Sequence, residues 1–87
     1  MSAAPSLAPQ VRLRHDAARG QWVLLAPERV VVLDEIAHAI LSRVDGQTRI
    51  EAIVAALARE YDAAEAEIAT DVREALEDLH RKGLVRL

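Results

Sequence analysis

The sequence predicts a small α+β domain in which a three-stranded antiparallel sheet is followed by three helices. Two patterns carry that prediction. Between residues 11 and 33, short alternating or wholly apolar runs are separated by turn residues, as consecutive strands are. From residue 35 onward the apolar positions recur every three or four residues, as they do in amphipathic helices. The length, 87 residues, bounds the rest: one domain, near the lower limit of what folds without staples, with room for a modest core and no deep pocket.

Residues 1–10, with two prolines and several alanines, read as a flexible arm, and residues 11–87 as the single domain. Val11-Arg12-Leu13-Arg14-His15 alternates, placing Val11 and Leu13 inward and the arginines in water. Asp16 to Gly20 reads as a hairpin connection. Gln21 to Ala26 is apolar on both faces, which suits a central strand. Trp22 within it is read as core, because an indole buries so much area. Pro27 presets φ for a turn, and Val30 to Leu33 forms the third strand.

That strand runs without a loop into a helix. Asp34 supplies the short acceptor an N-cap needs, and Ile36, Ala37, Ile40, Leu41 and Val44 form one stripe. Asp45-Gly46 ends the helix at about Val44. Thr48 and Glu51 fit a capping box for a second helix, with apolar positions from Ile50 to Tyr61. Asp62 and Glu65 offer another box, opening a third helix that extends to about Lys82. Ile68, Val72, Ala75, Leu76 and Leu79 form its stripe, and Gly83 suits the left-handed stop, with Leu84 folding back on Leu79. Leu84 to Leu87 reads as a tail or short strand.

The chemistry of catalysis is not legible in this chain. No cysteine is present, which excludes disulfides and thiolate–metal sites and allows a reducing cytoplasm. The serines and threonines lie in the arm or in helices, and no pattern places a base beside them. His15, His38 and His80 are scattered singly and read as surface imidazoles; His38 with Asp34 has helical spacing, but structural metal sites draw on several such ligands. Three dispersed glycines build no phosphate-cradling loop. No run approaches a membrane span, and the N-terminus lacks the basic region of a signal peptide, so a cytoplasmic protein is expected.

Net charge is −3, unevenly distributed: residues 1–33 sum to +2, 34–61 to −2 and 62–87 to −3. Three helices with strands are the parts of a winged-helix-like domain, and some such domains bind DNA. From Asp62 to Lys82, however, seven acids face three bases, a surface that would repel phosphates. A binding module for peptide is favoured instead. Val30 to Leu33 has none of the lysines, prolines or bulges with which monomers blunt an edge strand, so it offers unpaired backbone groups to a guest strand. Val31 and Leu33, or Val30 and Val32 in the opposite register, would form one wall of a groove. Val72, Arg73 and Leu76, with Asp71 or Glu77, would form the other, although Val72 and Leu76 share the helix stripe and read equally as core. The acids of the third helix read as a solvated face or as a peptide-contacting patch. The open edge also allows a dimer by strand pairing or by exchange of the N-terminal hairpin, the functional form being expected to be a monomer.

Arg12-Leu13-Arg14, Trp22 to Glu28 (WVLLAPE), Leu33-Asp34, Asp45-Gly46 and Gly83-Leu84, in this order and at this length, closely resemble the PqqD family of pyrroloquinoline quinone biosynthesis. The resemblance covers about residues 9–87. It implies a peptide chaperone without activity or cofactor of its own, a recognition element for ribosomally made, modified peptides. Its partners would be the precursor peptide PqqA and the radical S-adenosylmethionine enzyme PqqE, which joins a Glu and a Tyr of that precursor; a different modified peptide is the alternative. It further implies that the peptide adds beside the third strand, here Arg29, Val30, Val31, Val32 and Leu33, and rests along the exposed part of Asp71 to Asp78.

Overall fold

Three strands and three helices of the expected kinds occur in the expected order, with a short two-stranded ribbon added to them. The computed structural model describes residues 4–87. In chain order the elements are β1 (Ser6–Leu7), β2 (Arg12–Asp16), β3 (Gln21–Ala26), β4 (Arg29–Leu33), α1 (Glu35–Leu41), α2 (Ile50–Glu60), α3 (Glu65–Arg81) and β5 (Val85–Arg86). The main sheet is antiparallel in the order β2-β3-β4, with Leu13 opposite Leu24 and Leu24 opposite Val31. Pro27 and Glu28 alone connect β3 to β4. Glu28 takes φ +65° after the proline, the combination a type II turn uses.

This register gives the sheet two unlike faces. Leu24 and Leu33 are buried, and with Leu13, Trp22 and Val31 packed beside them they turn toward the helices. Val23, Leu25, Val30 and Val32 occupy the other face, where Val23 is buried, Leu25 half-buried and Val30 and Val32 exposed. The core closes between the inner face and Ile40, Leu41, Ile53, Leu57, Val72, Leu76 and Leu79. Val72 and Leu76 are at most 1% exposed, so the helix stripe, not a groove wall, is where both side chains reside.

The N-terminal segment departs from the arm expected for residues 1–10. From Pro5 it is bound into the fold: β1 pairs antiparallel with β5, Pro5 is fully buried, and Ala8 donates to the Leu84 carbonyl at 3.0 Å. Two-residue strands have no periodicity of their own, and this one exists because the chain's other end supplies its partner. The part of that expectation falling on residues 1–3 lies outside the described residues.

Helix ends show where local signals were overridden. Asp34 caps α1 as predicted, accepting from Ala37 N–H at 2.7 Å. The α1 helix stops at Leu41, three residues early, and continues as tight turns in which Arg43 and Val44 donate to Ile40 and Leu41. Thr48 does not cap α2. It gives its N–H and its hydroxyl to the Asp45 carboxylate, at 2.7 and 3.0 Å, and Arg49 holds the cap position. Gln47 N–H reaches the same carboxylate, and the Thr48 and Gln47 backbone donors hold the Asp45 carboxyl below the usual aspartate range.

Asp62, expected to open α3, instead closes α2. It takes the left-handed conformation at φ +49°, its N–H reaches the Arg59 carbonyl, and Ala63 N–H reaches that of Ala58. That bond pair is a Schellman stop. The same pair recurs after α3 as predicted: Gly83 at φ +77° donates to His80, and Leu84 donates to Leu79. Gly46 explains the Asp45-Gly46 signature. At φ +79° it turns its N–H to the Pro5 carbonyl at 2.9 Å, joining the α1–α2 loop to the N-terminal segment.

Candidate peptide-binding site

The β4 strand pairs with β3 on one side, and among the described residues no strand pairs with its other side. Ladder geometry says which groups that edge offers. A two-residue connection makes Ala26 and Arg29 a hydrogen-bonded pair, and hydrogen-bonded pairs alternate along an antiparallel ladder. Arg29, Val31 and Leu33 therefore spend their backbone groups on β3. Val30 and Val32 turn theirs outward. Their side chains also stand clear, each 60% exposed on the open face, whereas Val31 is half-buried and Leu33 buried on the inner one.

Helix α3 lies alongside that edge. At one end the Arg29 guanidinium donates to the Lys82 carbonyl, fastening the start of β4 to the end of α3. At the other, where β4 passes into α1 at Asp34, a groove of about 440 Å³ separates the first turn of α1 from α3. Ile36, Ala37 and Ala75 supply its apolar surface, and Asp34, Asp71, Glu74 and Asp78 its carboxylates. Ile36 is 40% exposed, although its spacing assigned it to the packed stripe of α1. At Asp78 the hydrogen bond from Lys82, with a further one from Arg81, holds the carboxyl below its usual range, so it is an anion at neutral pH.

Of the residues proposed from sequence, the structure gathers Arg29 to Leu33 and Asp71 about one edge. Arg73 is not with them. It faces a separate hollow on the α2 side of α3, beside Ile50, Val54 and Ala69. Helical geometry is the reason: residues two apart on a helix do not share a face, whereas those three, four and seven apart do. Asp71, Glu74, Ala75 and Asp78 have that spacing, so Glu74 and Asp78 were findable from periodicity. Asp34 and Ile36 were not, because only the packing of α1 against α3 brings them to the groove.

The histidines serve the fold. Trp22 lies between His38, stacked on it at 4.2 Å between ring centroids, and His15 at 4.8 Å. His80 Nδ1 lies 3.0 Å from the Val85 carbonyl. The Asp34 carboxylate accepts the cap hydrogen bond, and the face of the His38 ring stacks on Trp22.

The described residues form a winged-helix-like domain in which the free edge of β4 lies near the long helix α3. Residues 21–85 match the family of coenzyme PQQ synthesis protein D (PqqD), and the chain belongs to that family. It is 54% identical over 83 residues to a PqqA binding protein of Xanthomonas campestris pv. campestris strain B100, covering 95% of this chain and 90% of the relative. Among solved structures it resembles the PqqD truncation of Methylobacterium extorquens PqqCD, a stand-alone recognition element for ribosomally synthesized, modified peptides. That likeness has a TM-score of 0.83 at 41% identity and covers 95% of this chain and 88% of the other. The crystal structure of PqqD from Xanthomonas campestris matches at TM-score 0.65 with 54% identity, covering 94% and 91%. TbiB1 in complex with the TbiA(beta) leader peptide matches at TM-score 0.80 with 26% identity, covering 93% and 94%. No helix of the described residues is long and apolar enough to cross a membrane.

Proposed function

We propose that this chain binds the precursor peptide PqqA by strand addition at the free edge of β4 and presents it to the radical S-adenosylmethionine enzyme PqqE. The chain acts in the cytoplasm as a monomer and catalyses nothing itself. The observation that carries this reading is the pair of outward-facing backbone groups at Val30 and Val32, on an edge with α3 beside it. A guest strand takes affinity from such groups and specificity from the surfaces that receive its alternate side chains. Side chains on its inner side would enter the groove of Ile36, Ala37 and Ala75, with Asp71 and Glu74 at the rim. Arg29 keeps α3 at its distance from β4. Val72 and Leu76 support the groove from the core. The acidic outer side of α3, where Glu67, Asp71, Glu74 and Glu77 are exposed, suits a peptide and not a nucleic acid.

The test is a titration of the isotopically labelled domain with PqqA. Shifts and slowed amide exchange are expected at Val30 and Val32, with smaller shifts along Asp71 to Asp78. Unmoved resonances on β4 would place the peptide elsewhere. Binding of a different leader in preference to PqqA would assign the chain to another modified peptide.

A further inference from the structure

The two ends of the β4 edge are built differently. At the Asp34 end the groove of about 440 Å³ is open between α1 and α3, with Ile36, Ala37 and Ala75 as its apolar surface. At the turn end Arg29, the first residue of the strand, sends its guanidinium to the carbonyl of Lys82, the C-cap of α3. Ladder parity fixes the side from which it does so. Arg29 is opposite Ala26, as Val31 is opposite Leu24 and Leu33 opposite Trp22, and directly opposed residues share a face. Leu24 and Leu33 are buried on the inner face, with Trp22, Ala26 and Val31 packed beside them, so Arg29 starts from that face too. The acceptor suits a cation: the last carbonyls of a helix lack intrahelical partners and carry the negative end of its dipole. Arg81 and Lys82 turn their own side chains to Asp78, at 3.1 and 2.9 Å, so the cation that reaches this carbonyl comes from β4.

We propose that Arg29 is a specificity-determining strap. It closes the inner side of the peptide edge at the turn end and excludes large inward side chains there, so a guest must place its large inward residue at the Asp34 end. The assignment rests on the strand addition proposed above. Along a guest strand alternate residues face inward, whichever way the strand runs. Those level with Arg29, Val31 and Leu33 share the inner face with them. The guest residue level with Leu33 meets the open groove. The one level with Arg29 meets a side chain that already spans from β4 to the end of α3. A small residue, or the end of the guest, is what that position accommodates. A clash built against the wrong guest contributes to specificity just as a contact made to the right one does.

The experiment replaces each residue of PqqA in turn by Trp and measures the affinity of every peptide by calorimetry for the unaltered chain, Arg29→Ala and Arg29→Lys. Arg29 is exposed, and far-UV circular dichroism checks that both variants are folded. The expected result is one peptide position at which Trp weakens binding to the unaltered chain about ten- to hundredfold, and at which Arg29→Ala restores it to within about twofold of unsubstituted PqqA. Arg29→Lys, which keeps a long stem and a donor, should still reject that peptide. An Arg29 that only supports α3 would instead make Arg29→Ala lower the affinity for every peptide by the same factor, and that outcome overturns the proposal. So does a scan in which Arg29→Ala relieves no position, or one in which Arg29→Lys relieves a position as fully as Arg29→Ala. Amide shifts separate this failure from that of strand addition. Val30 and Val32 unmoved by PqqA in the unaltered chain would defeat strand addition, and with it the placement of a guest residue beside Arg29. Both moved, with no position relieved, would defeat the strap alone.

Discussion

The two edges of the main sheet are built from similar lengths of chain and treated in opposite ways. On β2 the arginines 12 and 14 are exposed and form no ion pair among the described residues, and charged side chains deter pairing along an edge. On β4 the exposed residues after Arg29 are valines, and the start of the strand is fastened to the end of helix α3 through Arg29. Two edges of equal hydrogen-bonding capacity thus differ in what they discourage. Self-association is a cost that an edge as bare as β4 carries, and a recognition role gives a reason for tolerating it.

The comparison can be tested from its foundation upward. Leu76→Ala removes fully buried methyl groups beneath the groove and should cost about 2–5 kcal/mol of stability in urea unfolding. At temperatures where it remains folded, its peptide affinity should be close to that of the unaltered chain; a stable variant with lost binding would return Leu76 to the groove. Val32→Pro deletes an outward donor from β4, and Pro is tolerated on an edge. Peptide affinity by calorimetry should fall about ten- to hundredfold, equivalent to roughly 1–3 kcal/mol, with the fold retained. The same substitution at Val31 should damage the sheet instead, since that N–H faces β3.

Asp34 both caps α1 and borders the groove. Asp34→Ala should lose about 1 kcal/mol through the cap, while Asp34→Asn keeps the cap and removes only the charge. A stable Asn variant with altered peptide affinity would isolate the electrostatic part. The smallest effect expected is at low pH. The Asp45 carboxyl is held below its usual range by donors that unfolding releases, so its contribution is fully present above the ordinary aspartate range. It is lost as pH falls through the folded value. Asp45→Asn should therefore flatten the acid limb of the stability curve without changing peptide binding, as thermal melts across pH would record.

Much of the fold was legible because local rules and global packing agree. Gln21 to Ala26 is central because it is apolar on both faces, and its bounds in the structure are those predicted. Asp34 and Gly83 behave as their chemistry dictates. The misreadings share a cause. Thr48 and Asp62 each had the residue type for a cap, yet Asp45 claimed the first and the end of α2 the second. Competition between neighbouring polar groups for the same backbone donors is decided by the path of the loop, which a spacing rule does not contain. The N-terminal segment was misread for a longer-range reason: its partner lies about eighty residues away along the chain. Arg73 lines a different hollow from Asp71 because helical phase separates the two positions.

What the sequence determined by itself was the order and kind of the elements, the bare apolar character of β4 and the acidity of α3, because these follow from residue type and period. Which valines face outward, which side of α3 meets the strand, and that Asp34 and Ile36 join that groove were decided only by tertiary structure. Ladder register and helix packing are relations between segments, and no single segment encodes them.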